Sequence, residues 1–474
     1  MKEEQMNKEI KIRFGLAFDL IIESNEKIED SDLLKFLKSN PKKNNEYRAL
    51  PHLYQKIIKL FESKGYKIDS SVLNEPNLSE QYSKRIIVNL KLREYQQEAI
   101  KQFLENKCKG VVILPTAAGK TVIGLKIIEK LKQKTVIVVP TKNLLYQWIE
   151  HLSRYTSLRR DMIGQLGDQV KEIKEITVTT YDSARIPANI NKLRKDFNLL
   201  IFDEAHHGAA KETLKVLEGL PAIYRLGLTA TPDRSDKGEE LLFELIGKPI
   251  IVTKVSELAE KGYVAKYKLE ILKVPLEDEE RQLYDRYMET YRGYLRRRNI
   301  QIRTPQDYEK YLIFRVNQDI EAKEALDAHR NARTLVFSSK AKLKKIENLL
   351  IKHEDDQIII FSEFNEMVYE ISKNHLIPAI THETKTSERE DILNKFSDGL
   401  YTKIVTGKVL DEGWDCGSVN VGIIVSGTGQ ARQFIQRLGR ILRPKEGDAI
   451  LYELVTPETL EAGTVKRRRK TEVI

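Results

Sequence analysis

Two stretches of this sequence carry residue types suited to chemistry on a polyphosphate. One is Pro115-Thr116-Ala117-Ala118-Gly119-Lys120-Thr121, directly after the apolar run Val111-Val112-Ile113-Leu114. The other is Asp203-Glu204-Ala205-His206-His207, directly after Leu199-Leu200-Ile201-Phe202. In the first, small residues let backbone N–H groups approach phosphate oxygens, and a helix starting there adds the positive end of its dipole. Lys120 would meet the β- and γ-phosphates and Thr121 would ligate magnesium. The pattern G-x-x-x-x-G-K-T is incomplete, because Leu114 stands at its first glycine. The plain alternative is a tight turn with a solvated lysine. In the second stretch, carboxylates end an apolar strand where an open α/β sheet forms its ligand crevice. Asp203 is expected to hold magnesium through water, and Glu204 to orient and deprotonate the attacking water. The alternatives are an acidic helix cap, or a metal site using His206 and His207. Together the stretches imply ATP hydrolysis with Mg2+.

Two further features bear on the same chemistry. Gln436-Arg437-Leu438-Gly439-Arg440-Ile441-Leu442-Arg443 puts Arg440 and Arg443 three apart, on one face of a helical turn. From a second domain such a pair can clamp a γ-phosphate in the transition state; the alternative is a solvated basic face. Gln96, upstream of the phosphate loop, has an amide that both donates and accepts, as an adenine edge requires.

The elements that must position these residues follow from the apolar pattern. Strands are expected at Val111–Leu114, Thr135–Val139, Ile176–Thr180, Leu199–Phe202, Arg225–Leu228 and Ile250–Val252, with helices such as Val122–Leu131 and Asn143–Tyr155 between them. Wholly apolar strands separated by amphipathic helices mean a parallel sheet covered on both faces. A second such series is expected at Ile358–Phe361, Ile377–Thr381, Lys403–Thr406, Val421–Val425 and Ile450–Leu454. The expected organisation is a small N-terminal α/β domain over 1–85, a first α/β domain over 86–255, a helical insertion over 277–330, and a second α/β domain over 331–474 ending in the basic run Lys466–Lys470. Within the insertion, Arg296–Arg298 with Tyr287, Tyr291 and Tyr294 either grip DNA or form a solvated face with the tyrosines packed inward.

Composition agrees with this organisation. The 474 residues suit several domains of roughly 100–200 residues each. Lys plus Arg total 80 against 70 Asp plus Glu, a formal charge of +10 that fits a polyanionic partner. Cys108 and Cys416 are the only cysteines, which excludes a disulfide framework and suggests a reducing, cytoplasmic location. No signal-peptide core and no membrane-length apolar run is evident.

The order of the motifs is similar to that of superfamily 2 helicases. It runs through Gln96, Pro115–Thr121, Pro140-Thr141-Lys142, Thr179-Thr180-Tyr181-Asp182, Asp203–His206, Thr229-Ala230-Thr231, the stretch from Thr406-Gly407 to Asp415, and Gln436–Arg443. Within that superfamily the chain resembles the XPB family, DEAH-type in its Asp203–His206 box, and its compact archaeal members above all. Gly227–Pro232, Ile380–Thr384, Val409–Gly413, Ser426–Gly429 and Arg437–Pro444 carry the likeness. The resemblance implies two RecA-like motor domains, a damage-recognition-like N-terminal domain and a helical thumb. It implies ATP-driven translocation on, or opening of, double-stranded DNA at forks, bubbles or damaged sites, in repair or transcription. A structure-specific nuclease partner is known in archaeal relatives. The alternatives are an RNA helicase, or an ATP-switched DNA clamp that recruits a nuclease.

The same resemblance assigns DNA-backbone contacts to Lys142, Thr180, Thr406 and Lys408. Coupling of hydrolysis to movement falls to His206, Thr229 and Thr231, and a catalytic role to Gln436. Two departures stand out. Arg234-Ser235-Asp236 keeps the first and third members of the family's Arg-Glu-Asp triplet, implicated in DNA opening. Ala117 replaces a glycine frequent in the family's phosphate loop.

Overall fold

A computed structural model describes residues 8–16, 18–73, 76–115, 118–207, 211–230, 238–252, 255–261, 267–303, 305–407, 419–426 and 449–463. The chain divides into two compact units, Met1–Lys254 and Val255–Ile474.

The first unit holds two sheets. The smaller is built from β1 (Glu9–Phe14), β2 (Leu20–Ser24), β3 (Lys38–Ser39), β4 (Glu46–Ala49) and β5 (Lys67–Ser70), in the order β3-β4-β2-β1-β5. Its pairs are antiparallel except β1 with β5. Alternation in β1 turns Ile10 and Ile12 inward, and the helix Tyr54–Ser63 covers them with Tyr54, Ile57 and Phe61. Those three lie on one stripe because side chains three and four apart share a helix face. Arg194 ties this sheet to the larger one. Its guanidinium donates to Gly15 O at 2.8 Å and lies 4.4 Å from the Phe14 ring centre.

The larger sheet contains β6 (Lys109–Ile113), β7 (Thr135–Val139), β8 (Ile163–Gly167), β9 (Val170–Glu172), β10 (Ile176–Thr180), β11 (Leu199–Asp203), β12 (Tyr224–Thr229) and β13 (Pro249–Val252). The order is β13-β6-β12-β11-β7-β10-β8-β9, parallel except for the β8–β9 pair. β7, β10 and β11 are buried along their whole length, which is why they read as continuous apolar runs. β12 lies between β6 and β11, in register Thr229 to Ile113 and Leu228 to Asp203. The C-terminal ends of β6 and β11 are therefore two ladder spacings apart, about 10 Å.

The second unit has one parallel sheet of β14 (Tyr267–Lys273), β15 (Ile358–Phe361), β16 (Ala379–Ile380), β17 (Lys403–Thr406), β18 (Val421–Ile424) and β19 (Ala449–Val455), ordered β14-β19-β18-β15-β17-β16. Between β14 and β15 the chain is helical, with Asp278–Arg297, Pro305–Tyr311, Ile320–Phe337 and Lys340–Lys352. Tyr284, Met288, Tyr291 and Tyr294 from the first of these pack on Ala322, Ala325 and Leu326 of the third. Tyr291 and Tyr294 are thus core residues; Tyr287 packs partly against them. Arg296 pairs with Glu289, Arg297 with Glu321 at 3.6 Å, and Arg298 with Asp319 at 3.3 Å. The inward-packed reading of these tyrosines is the one the fold adopts.

The expected strands recur within a residue or two, and the class is α/β with parallel sheets. In the two larger sheets three strands lacked a sequence signal. β8 reads Ile-Gly-Gln-Leu-Gly, with two glycines, and β9 is three residues long. β14 is an edge strand whose residues from Lys268 to Lys273 are half-buried or exposed, so no apolar run marks it.

Candidate nucleotide-hydrolysis site

The chain leaves β6 through buried Leu114 and Pro115 and enters the helix Lys120–Leu131 at Gly119. Gly119 has φ +76°, and a Cβ there would stand 2.5 Å from Gln96 Nε2. Both facts demand glycine. Gln96 belongs to the helix Glu94–Glu105, where its Oε1 accepts from Arg93 N at 3.0 Å in a capping box. Its Nε2 donates to Ala118 O at 3.1 Å, while Tyr95 OH donates to the same carbonyl at 2.7 Å. Gln96 is only 4% exposed. In this conformation its amide braces the phosphate loop from behind instead of presenting a donor–acceptor pair to a base. That differs from the adenine-reading expectation: here the amide is held by the Ala118 carbonyl, on which Tyr95 OH converges as well.

Lys120 follows immediately. Its Nζ donates to Leu114 O at 3.3 Å and lies 3.8 Å from Glu204 Oε1, with the two side chains 10% and 12% exposed. Thr121, the next residue, is half-buried.

β11 delivers the acidic pair. Asp203 is 5% exposed; its Oδ1 accepts from Glu204 N at 2.9 Å and its Oδ2 from the indole Nε1 of Trp148 at 2.7 Å. Glu204 has φ +46°, a left-handed conformation that costs a non-glycine residue roughly 1–2 kcal/mol. The Tyr181 hydroxyl bridges the carbonyls of Asp203 and Glu204, the latter at 3.1 Å, and so holds that turn. The turn aims Glu204 at two partners: Lys120 on one side, and His206 Nδ1 at 3.4 Å on the other. His206 Nδ1 is also 3.0 Å from Thr229 Oγ1 at the end of β12. His206 and Thr229 are fully buried. Lys120, Glu204, His206 and Thr229 therefore form one connected set across β6, β12 and β11.

Sequence reasoning missed Trp148 and the part played by Tyr181. Trp148 sits at helical spacing with Leu145, Ile149 and Leu152 and looks like core. The available signal was its N–H, which needs a partner once buried.

Candidate DNA contacts are more scattered. Lys142 opens the helix Lys142–Tyr155, capped by Thr141 Oγ1 accepting from Leu144 N at 3.3 Å. Its ammonium is exposed and paired with the Asp168 carboxylate, which also accepts from Tyr146 OH. These two hydrogen bonds hold Asp168 below the usual carboxylate range. Thr180 caps the helix Tyr181–Ala184, accepting from Ser183 N at 3.2 Å. Thr406 is buried and donates to Gly407 O at 3.1 Å, so its hydroxyl faces inward. Thr116, Ala117, Thr231, Arg234, Asp236, Lys408, Gln436, Arg440, Arg443 and the basic tail lie outside the described residues.

Comparison with known proteins decides the family. The profile described as "Type III restriction enzyme, res subunit" matches residues 89–234, and that of the "Helicase conserved C-terminal domain" matches 341–445. The DNA 3'-5' translocase XPB2 of Sulfurisphaera tokodaii is 39% identical over 427 residues, 90% of this chain and 94% of that protein. This chain belongs to the XPB family of helicases. A Mycobacterium tuberculosis relative, "DNA 3'-5' helicase XPB", is 30% identical over 80% of this XPB-family chain, which spans 63% of that protein. In Drosophila melanogaster the "General transcription and DNA repair factor IIH helicase/translocase subunit XPB" is 26% identical over 88% of this chain and 51% of that protein. Among solved structures, the Hef helicase domain of Pyrococcus furiosus shares the fold at TM-score 0.56 and 18% identity, over 79% of this chain and 97% of that domain. Helicase membership carries use of a nucleotide, ATP. Among the described residues no helix is long and apolar enough to cross a membrane.

Proposed function

We propose that this XPB-family chain hydrolyses ATP to translocate along, or open, double-stranded DNA in repair or transcription. The observation that carries the proposal is the Lys120–Glu204 approach of 3.8 Å across the ends of β6 and β11. A cation for phosphates and a carboxylate for water then face one point. Relatives with names for DNA translocation and for a transcription and repair factor support the substrate and the setting, and favour DNA over an RNA track.

Lys120 exchanges Leu114 O and Glu204 for the β- and γ-phosphates when nucleotide enters. That exchange frees Glu204 to take the proton of the attacking water, so the base is exposed only in the loaded site. The N-terminus of the helix Lys120–Leu131 and the loop residues Pro115, Thr116, Ala117, Ala118 and Gly119 cradle the phosphates. Mg2+ fits the same place by the chemistry of its donors, since the Thr121 hydroxyl and the Asp203 carboxylate are hard oxygens. Bound there it would neutralise phosphate charge. His206 transmits the state of Glu204 to Thr229 and, with Thr231, to the segment that follows. Gln436, Arg440 and Arg443 act on the γ-phosphate, and Gln96 tracks the adenine by leaving the loop carbonyls.

Lys142, Thr180, Arg234, Asp236, Thr406 and Lys408 are assigned to DNA. Thr180 and Thr406 act through neighbouring backbone, because their hydroxyls are used internally. The organisation assigned is an N-terminal damage-recognition-like domain over 1–85, motor domains over 86–255 and 331–474, and a thumb over 277–330; the sheet of the second motor domain also takes in β14, ahead of the thumb, so its boundary at 331 is too late. Forks, bubbles or damaged duplex are the tracks, a structure-specific nuclease is the partner, and a reducing cytoplasm is the setting.

Glu204→Gln tests the engine. It should bind ATP as the parent does and lose turnover by on the order of a hundredfold or more. DNA-stimulated hydrolysis retained in that variant would overturn the assignment. Stimulation by duplex DNA above RNA, with ATP-dependent triplex displacement, is expected of a translocase; a clamp shows no displacement.

A further inference from the structure

We propose that Trp148 is a positioning residue for the Asp203 carboxylate, which it locks in the orientation needed to meet magnesium. The inference rests on the reading of Asp203 as the metal carboxylate. Trp148 lies in the helix Lys142–Tyr155 and is 1% exposed. Its ring occupies the space above Gly124, where a Cβ would come within 2.7 Å of Cη2. Gly124 belongs to the helix that starts at Lys120, so the indole is wedged between the phosphate-loop helix and the end of β11. A phenylalanine would fill much of that space. What phenylalanine cannot supply is the 2.7 Å bond from Nε1 to Asp203 Oδ2.

That bond matters because of what holds the other oxygen. Oδ1 accepts from Glu204 N, the amide next in the chain, at 2.9 Å. A donor on Oδ2 from a different element fixes the rotation of the carboxylate about its Cβ–Cγ bond. The buried carboxylate thus keeps a donor on each oxygen. Partners of this kind usually change metal affinity 10- to 100-fold when removed. The donor is also anchored to a helix whose first residue is Lys142.

The test uses the full-length chain. In Trp148→Phe, binding of a non-hydrolysable ATP analogue is titrated with Mg2+ by calorimetry. The half-saturating Mg2+ concentration should rise about tenfold, while metal-free binding of the analogue stays within about twofold. An unchanged Mg2+ requirement in a folded Trp148→Phe variant overturns the proposal. Asp203→Asn separates the two readings. If it keeps the parent's Mg2+ requirement, the metal role of Asp203 fails. If it loses that response while Trp148→Phe keeps it, only the role of Trp148 fails.

Should Trp148→Phe not fold, nitrogen-15 labelling of the indoles decides. The chain has two tryptophans, Trp148 and Trp414. The indole signal displaced in Asp203→Asn identifies Trp148. In the parent protein that signal should move with the Mg2+-loaded analogue and stay in place with the analogue in EDTA. A signal indifferent to metal overturns the proposal.

Discussion

At the scale of single residues, Glu204 is the most constrained group in the site. Its left-handed backbone stores roughly 1–2 kcal/mol, and the Tyr181 hydroxyl holds the turn through the carbonyls on either side. Tyr181→Phe removes that hold and keeps the stacking of the ring on Phe202, whose centre is 4.8 Å away. Turnover should fall several-fold and stability by about 1 kcal/mol, with ATP affinity unchanged; steady-state ATPase kinetics and thermal melts check this. On the opposite wall, Tyr95→Phe removes the 2.7 Å bond to Ala118 O, the carbonyl that Gln96 Nε2 also meets. Analogue affinity should drop a few-fold there, because the phosphate loop is less preorganised. That Lys120, Asp203 and Glu204 would come together at strand ends was legible in the sequence, from a Gly-Lys-Thr turn and an Asp-Glu pair each following an apolar run. Tyr95, Trp148 and Tyr181 were not. A buried aromatic at helical spacing looks like packing, and only the fold shows which polar tip reaches which carboxylate or carbonyl. Gln96 was half legible: its amide could be read as matching an adenine edge near the loop, but not as a donor to the loop itself.

Among elements, β12 shows how the sheet is fastened beneath the site. Arg225 is buried in it and donates to Ala222 O at 3.0 Å, Leu217 O at 2.9 Å, Leu245 O at 3.0 Å and Leu220 O at 2.5 Å. One side chain thereby gathers the C-terminal ends of the helices Lys211–Gly219 and Gly238–Leu245. Burial lowers its pKa to about 10. Arg225→Met should destabilise the first unit by roughly 3 kcal/mol or more, since several buried carbonyls lose their donor; denaturant melts give the number. The second unit uses a buried ion pair. Lys342 Nζ donates to both carboxylate oxygens of Glu461 at 2.8 Å and to Val425 O at 2.9 Å, while Glu461 Oε2 accepts from Thr456 N at 2.7 Å. Nearby, Tyr284 OH accepts from Leu460 N at 3.0 Å. The helical insertion and the end of β18 thus meet at residues 456–461. Breaking one partner of such a pair costs roughly 3–5 kcal/mol, so Glu461→Gln should lower the second unit's melting transition well below that of the first. Arg225 sits in a strand that reads as apolar, and its four carbonyl partners are scattered along the chain from Leu217 to Leu245. No sequence pattern announces such a bracket.

Taken whole, the molecule has a strongly shifted histidine described in each unit, His52 in the first and His329 in the second. Burial first, then the charge of Arg225, lowers His52 to about 4, against a backbone bond to Glu218 that raises it. Burial, with Arg333 beside it, lowers His329 to about 4 as well. Between the usual histidine pKa near 6.5 and 4, the unfolded chain binds a proton that the folded unit refuses. Stability therefore falls as pH drops through that window. Calorimetric scans between pH 7.5 and 4.5 should show both transitions moving down, and His329→Gln should flatten the trend for the second unit alone. The sheet of that unit has a practical consequence for anyone dividing the protein. β14 pairs with β19 along seven residues although the helical insertion separates it from β15 in the chain. A fragment cut at residue 331 would strip β14 away and bare the hydrogen-bonding rim of β19. Bare rims recruit foreign strands, so such a fragment should precipitate where one beginning near residue 255 stays dispersed.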